Sequence, residues 1–515
     1  MEPLRSWAQV SEAVIWRARR MPRPFLQNVG FLVLINLLIK PVFIFGIDLA
    51  VQNRVGPAAY GFYFALFNFA FLFNVLLDFG IQNFNQRLVA RDPSRVKAWL
   101  PNIIWVKLLL SLAFYAAIFL VALGLRFEPD QLRLLAWIAL NRVLISFHMY
   151  FRSNVSGLQA FRTDAVLSVL DRSLTILLVG ALLYTDVLGR PFTVRDFVLA
   201  TTVSFVLTTL GSLAAMLRLT GPIKPQFNRR LFGLVVQRAY PFALLGVLMT
   251  IYNRVDGVML ERLLGEQGDY QAGVYAAAYR LLDAGTMFAF LIAGILLPLF
   301  ARMRKTGEDV WPVAQSSWRL LLAVSLTASV VSVFNAAPLM DALYTESTPF
   351  WGRTFAWLMP GFVFNATVYV FGSLLTAENR LRGLNAIALL GVAGNVVLNL
   401  IFIPRWQALG AAYATLITQG IVAVAHIIYA ARVYGWSGRL SAEAARGLGF
   451  TAAIMAMAWG LAQLLPDWRM HFLATAVLAA LLAWGFGLLN PRAILSARAS
   501  SRRGAGPDED EPNEP

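Results

Sequence analysis

Apolar residues along this chain fall in runs of about twenty, parted by short polar stretches, and the spacing recurs from residue 28 to residue 489. A run of that length is what an α-helix needs to cross the ~30 Å hydrocarbon core of a bilayer. The pattern predicts helices over 28–50, 60–85, 100–124, 134–157, 164–185, 196–217 and 239–261. It predicts seven more over 272–300, 318–340, 354–377, 384–403, 411–430, 448–464 and 471–489. The fold class this implies is all-α: a polytopic membrane protein of about 14 transmembrane helices. Residues 1–27 are Arg-rich and amphipathic, lack the short apolar core of a cleavable leader, and read as a cytoplasmic N-terminal segment.

Composition sharpens this picture. Of 515 residues, 58% are hydrophobic and 14% charged, against about 25% charged in soluble domains. Fourteen spans consume nearly the whole chain and leave no room for a sizeable soluble catalytic domain. The net charge is +16, which in a soluble protein suggests nucleic acid. Here the charges follow the connectors. Of the 44 Lys and Arg residues, 27 lie on the side of the N-terminus and nine on the other, with eight inside the spans. A threefold excess of basic residues marks the cytoplasmic side, so both termini are placed there and a nucleic-acid partner falls away. The chain has no cysteine, and its three histidines, His148, His426 and His471, are too scattered for a metal cluster. No cofactor, metal or catalytic residue is expected. Residues 506–515, acidic and proline-rich, read as part of a disordered cytoplasmic tail over 490–515.

Two pairs of segments are alike at nearly one offset. Gly61-Phe62-Tyr63-Phe64-Ala65 resembles Gly273-Val274-Tyr275-Ala276-Ala277, and Gln159-Ala160-Phe161-Arg162 resembles Ala377-Glu378-Asn379-Arg380. They suggest two parallel six-helix lobes, over 28–219 and 239–433, joined by a cytoplasmic linker at 220–238. The helices of 448–489 are then an appended pair. Parallel repeats of this kind belong to a transporter architecture.

Ionisable residues inside the spans carry the functional signal, because each costs a few kcal/mol unless it faces a cavity or a partner. Lys107, Arg152 and Arg319 sit within about two turns of the cytoplasmic end and are expected to snorkel. Lys40, Arg142, Arg254, Arg280, Asp256 and Asp283 lie deeper, roughly 12–18 Å from their outer helix ends. Arg280 and Asp283 are spaced to pair on one face, and Asp256 can neutralise Arg254 or Arg280. Four cations against two carboxylates still leave a net positive layer near the midplane. Lys40 precedes Pro41 in mid-helix, where proline removes a hydrogen bond and bends the first span. Asp78 and Asp171 lie toward the inner ends of their spans, Asp171 beside Arg172, and read as local pairing or coupling carboxylates.

Several motifs share their order and spacing with a known family. They are Tyr252-Asn253-Arg254-Val255-Asp256-Gly257, the run Gly273 to Tyr279-Arg280-Leu281, and Ala377-Glu378-Asn379-Arg380 leading to Gly394-Asn395-Val396-Val397-Leu398-Asn399. Gly410-Ala411-Ala412-Tyr413-Ala414-Thr415 and Val55-Gly56-Pro57-Ala58-Ala59-Tyr60-Gly61 complete the set. Together they resemble the polysaccharide flippases of the multidrug/oligosaccharidyl-lipid/polysaccharide exporter superfamily, across the whole repeat region. The resemblance implies two six-helix lobes, V-shaped around a cationic central cavity, in a bacterial inner membrane. The cargo it implies is a polyprenyl-diphosphate-linked oligosaccharide, turned from the cytoplasmic to the periplasmic leaflet by alternating access. In the related peptidoglycan-precursor flippase an arginine in a Tyr-x-x-Arg-Leu pattern lies in that cavity, and Arg280 aligns with it loosely. A diphosphate also suits Lys40, Arg142, Arg254 and Arg280 as substrate-binding cations, with Asp256, Asp283 and Asp171 as pairing or coupling carboxylates. Membrane lipids are the remaining partners, a polysaccharide polymerase or glycosyltransferases stay open, and a monomer is expected.

Two rival readings remain. A cation-coupled multidrug or metabolite exporter of the same superfamily would favour a carboxylate-dominated cavity. A membrane glycosyltransferase or polymerase would need catalytic acids on a sizeable extramembrane loop, and the longest internal loop, 218–238, has no acidic residue.

Overall fold

A computed structural model of the chain describes residues 35–36, 38–81, 85, 89, 96–221 and 229–489. The amphipathic N-terminal segment, most of the 220–238 linker's first half and the acidic tail lie outside the described residues. Every regular element among the described residues is helical, and they divide into two compact units, Met1–Val258 and Met259–Pro515.

In the first unit the first span passes through a π-helix, Val42–Asp48, into α1 (Leu49–Val55). The wide turn begins directly after Pro41, whose ring cannot donate to the ladder, so the predicted bend takes the form of π winding. Gly56, at φ 80°, turns the chain into α2 (Pro57–Leu72). Four long helices follow: α3 (Val96–Gly124), α4 (Pro129–Gly157), α5 (Phe161–Tyr184) and α6 (Val194–Thr220). Then comes α7 (Arg229–Leu263), whose last turn belongs to the second unit. One core cluster gathers Leu100, Ile103 and Val106 of α3, Tyr150, Phe151 and Val155 of α4, Leu167 of α5 and Met216 of α6. Polar ties reinforce it, including His148 Nδ1 to Ser212 Oγ at 2.5 Å and Tyr150 Oη donating to the Leu100 carbonyl at 3.2 Å. Such bonds between helices are one of the few attractive forces left once lipid replaces water.

The second unit runs α8 (Gly268–Thr306), α9 (Trp311–Phe334), α10 (Ala336–Leu343), α11 (Pro349–Leu358), α12 (Gly361–Ala377) and α13 (Leu381–Tyr434). The pair α14 (Ser437–Leu464) and α15 (Trp468–Gly485) closes it. α13 is two spans joined at Gln407, which is non-helical at φ 55° and ψ −131°. That turn is fastened by the start of α8: Gln271 Nε2 donates to Gln407 Oε1, Gln407 Nε2 to Gln267 Oε1, and Ala408 N to Gln271 Oε1. A Cβ on Gly410 would stand 2.2 Å from the Phe402 carbonyl oxygen, so only glycine allows the second half to fold back so tightly.

Ten of the described helical segments are long and apolar enough to span a bilayer. Counting both halves of α13 and adding the first span, α2 and α7 agrees with the expected fourteen. Large apolar side chains stand on the outside, among them Leu120 at 73% exposure and Trp484 at 64%. In water that would be an aggregation surface, whereas lipid tails solvate it.

Three expectations are corrected. The second span, read as continuous over 60–85, breaks after Leu72 into a 3-10 turn, Asn74–Leu77, followed by Phe79 at φ 43° and Gly80 at φ 76°. The span read over 318–340 splits in two at Asn335, whereas Pro349–Ala377 continues as one membrane-length segment through a turn at Met359-Pro360. Finally, Lys107, Arg152 and Arg319 do not reach for the membrane surface. Lys107 is 1% exposed and lies 3.7 Å from Asp78, Arg152 bonds Asp164, and Arg319 Nε donates to Glu443 at 2.6 Å. In each case a carboxylate on another element offers a shorter route than water.

Candidate functional site

The first unit draws two of the predicted cations onto one aromatic ring. α2 carries the run Phe67 to Phe71, and its ring faces meet Arg142 from the middle of α4. The Arg142 guanidinium carbon lies 4.3 Å from the Phe71 centroid and 5.7 Å from that of Phe67. Arg254 of α7 approaches the same Phe71 ring at 5.2 Å. The two guanidinium carbons are therefore no more than about 9.5 Å apart, a like-charge repulsion of about 2 kcal/mol at an effective dielectric near 20. The negative faces of the rings offset part of it.

Packing sets this approach. One turn after Arg254, a Cβ on Gly257 would stand 2.7 Å from Asn68 Nδ2 and 2.8 Å from Phe64 Cε1, so α7 lies directly against α2. Arg142 in turn is oriented by Asn74, whose Oδ1 accepts from Nε at 3.2 Å and from Nη2 at 3.0 Å. Two of its five N–H groups are thus spent, and three remain. Among the described residues no carboxylate stands within ion-pairing distance of Arg142.

The other predicted residues divide between the units. Lys40 is half-buried just before the π-helix, with Arg172, Asp171 and Arg152 as its charged neighbours. Asp171 pairs with Arg172 at 3.5 Å, and Arg172 stacks on Phe43 at 4.4 Å. Asp256 is 1% exposed and engaged by neighbouring groups. Arg280 and Asp283 lie one turn apart on α8 in the second unit, both half-buried and both engaged, with Thr286 Oγ1 donating to the Asp283 carbonyl. Earlier on α8, Tyr275 bonds Thr415 of α13 at 3.0 Å, and within α13 the fully buried Asn399 donates to Asn395.

Phe71, Asn74 and Asp48 did not stand out in the sequence. Asp48 is 4% exposed and accepts from Tyr60 at 2.9 Å. A carboxylate in the outer half of the first span was the one signal for it. Phe71 and Asn74 are ordinary members of an apolar run, and nothing short of three-dimensional placement marks them.

A family model described as "Polysaccharide biosynthesis protein" matches residues 25–304, more than half of the chain. The chain belongs to that family. Its relatives include the lipid III flippases of Escherichia coli (strain K12) and Shigella flexneri, each 26% identical over 202 residues. Those stretches cover 38% of this chain, and the match spans about half the length of either relative, 46%. Among solved structures, the lipid II flippase MurJ in an inward closed conformation superposes with a TM-score of 0.69 at 14% identity, over 88% of this chain and 97% of that one. An inward-facing multidrug resistance MATE transporter of the MOP superfamily gives 0.60 at 16% identity, over 77% and 96%. At such identities the likeness establishes the fold alone: that of an all-helical, multi-span membrane protein.

Proposed function

We propose that this family member is a flippase for a polyprenyl-diphosphate-linked oligosaccharide. It would carry that lipid from the cytoplasmic to the periplasmic leaflet of a bacterial inner membrane by alternating access, in exopolysaccharide, O-antigen or capsule synthesis. It moves a substrate and makes or breaks no covalent bond. The observation that carries this reading is the pair Arg142 and Arg254 on one ring, with Arg142 lacking a carboxylate among the described residues. A diphosphate brings about two negative charges and planar sets of acceptor oxygens, which a guanidinium binds in a forked manner. Its arrival also removes the repulsion between the two cations. The names of the relatives, lipid III flippase and lipid II flippase, favour the same class of cargo.

In this scheme Lys40, Arg142, Arg254 and Arg280 are the substrate-binding cations, while Asp171, Asp256 and Asp283 serve as pairing or coupling carboxylates. Six helices before the 220–238 linker and six after it form the two lobes, with α14 and α15 appended and both termini in the cytoplasm. The working unit is a monomer, with a polysaccharide polymerase or glycosyltransferases as its protein partners.

The test uses proteoliposomes loaded with a fluorescent lipid-diphosphate oligosaccharide and follows its appearance in the opposite leaflet. Movement that requires the protein and is lost in a folded, inserted Arg280→Ala variant is the expected result. Full activity of that variant removes Arg280 from the site. No lipid movement, with efflux of a cationic dye instead, moves the protein to the drug-exporter branch and turns attention to Asp171 and Asp256.

A further inference from the structure

The break in the second span has a chemical purpose visible in what holds it. Hydropathy alone dictates a continuous helix, since Phe73, Val75, Leu76 and Leu77 keep the apolar run going. Backbone that leaves the helix inside a membrane must find partners for its freed carbonyls within the protein. Here they come from two neighbouring helices. The Leu77 carbonyl accepts from Lys107 Nζ of α3 at 2.8 Å and from Ser146 Oγ of α4 at 3.1 Å. Lys107 Nζ also donates to Ser146 Oγ at 2.7 Å and has Asp78 Oδ1 at 3.7 Å. The ammonium thus ties the end of the 3-10 turn to α4, bonding the Leu77 carbonyl and Ser146 with Asp78 as its ion-pair partner, in a place where Lys107 is 1% exposed.

Asn74 stands at the other end of that single turn. Residues three apart on a helical path share one face, and Phe71, in the last turn of α2, and Asn74, at the start of the 3-10 turn, accordingly meet the same guanidinium, one through its ring and one through its amide oxygen. Ser146, which shares the Leu77 carbonyl with Lys107, is one helical turn from Arg142 on α4. Clamp and cation therefore register against the same short segment.

We infer that Lys107 and Asn74 are positioning residues for Arg142: Lys107 fixes the unwound segment 73–80, and the segment presents Asn74 to set the plane of the guanidinium that receives the diphosphate. Neither residue needs to touch the cargo. The diphosphate part of this inference rests on the flippase reading above, whereas the clamp itself does not.

The experiment is a double-mutant cycle on the full-length chain in proteoliposomes, with a fluorescent polyprenyl-diphosphate-linked N-acetylglucosamine as the probe. Lys107→Met and Asn74→Ala each raise KM about 10-fold with kcat changed less, and Lys107→Arg, which keeps a cationic donor, restores most of the loss. In an Arg142→Ala background the same two substitutions change KM by no more than about twofold, because residues acting through one group do not add. Effects that multiply undiminished in that background overturn the inference, since a purely structural role predicts that outcome. Should Lys107→Met fail to fold, Ser146→Ala, which removes the other donor to the Leu77 carbonyl, takes its place beside Asn74→Ala in the cycle. If the wild-type chain does not move the probe, the flippase reading fails and amide hydrogen exchange decides the clamp. Exchange over residues 73–81 then rises about 10-fold in Lys107→Met if the clamp is real, and unchanged exchange refutes it.

Discussion

Replacing Arg142 by lysine keeps the charge and removes the shape, which makes Arg142→Lys a sharp probe of how the diphosphate is held. The guanidinium lies 4.3 Å from the Phe71 centroid and is oriented by two bonds to Asn74, leaving three N–H groups for a ligand. An ammonium cannot stack as a plane or bind two phosphate oxygens in a fork. Loss of one charge-assisted hydrogen bond costs about 1.5–3 kcal/mol, and the weakened ring contact about 0.5–1 kcal/mol. At 1.4 kcal/mol per decade, the combined ~2–4 kcal/mol raises KM for the lipid diphosphate by about 30- to 700-fold. The assay is the initial rate of leaflet transfer as the mole fraction of fluorescent substrate is varied, on protein shown by gel filtration to be monodisperse. The Coulombic part of the attraction survives in this variant, so it should remain more active than Arg142→Ala. A KM within about threefold of wild type would refute the forked, stacked geometry and leave only a diffuse positive field.

Two further substitutions probe the scaffold. Glu443, 4% exposed on α14, accepts from Arg319 and Gln315 of α9 and from Arg446 of its own helix. Glu443→Ala leaves two cations without their carboxylate. Breaking such a pair costs about 3–5 kcal/mol when fully buried, and the partial exposure of both arginines brings the expectation to about 2–3 kcal/mol. A clear fall in the unfolding temperature in detergent checks it, and an unchanged melting curve would show that α14 is held to α9 by apolar contact alone. Gly257→Val forces a side chain into Asn68 and Phe64 and should cost about 1–3 kcal/mol or prevent folding. Gly246→Ala on the same helix meets nothing within 4 Å and should leave the folded yield intact, so equal damage from both would contradict the close α7–α2 packing.

The helical class and the number of spans were legible because they follow from local composition. What was not legible depends on partners from elsewhere in the chain. Within the apolar run at 73–80, Asn74, Asp78 and Gly80 are weak local signs of a break; the segment leaves the helix there because Lys107 and Ser146, from two other helices, satisfy the Leu77 carbonyl. Lys107 was expected to snorkel for the same reason in reverse, since its distance from the helix end is written in the sequence and the position of Asp78 and Leu77 is not. Arg142 and Arg254 could be placed at one depth from spacing alone. That they share Phe71 depends on how closely α7 approaches α2 at Gly257, a contact between residues nearly two hundred positions apart.

The pairing of four other embedded cations explains why Arg142 is informative. Arg152 has Asp164, Arg172 has Asp171, Lys107 has Asp78 and Arg319 has Glu443. The chain thus places a carboxylate beside cations whose work is structural, as the cost of burying charge demands. At Arg142 it supplies a neutral amide and an aromatic face instead, and sets a second guanidinium nearby. An amide oxygen and a ring stabilise a cation without neutralising it, so the site keeps its net charge while remaining ordered. A carboxylate in the place of Asn74 would make a stronger fold and a weaker anion site. Asn74→Asp should therefore raise the unfolding temperature or leave it unchanged while lowering affinity for the lipid diphosphate. Tighter binding in that variant would mean that Arg142 does not face the phosphates at all.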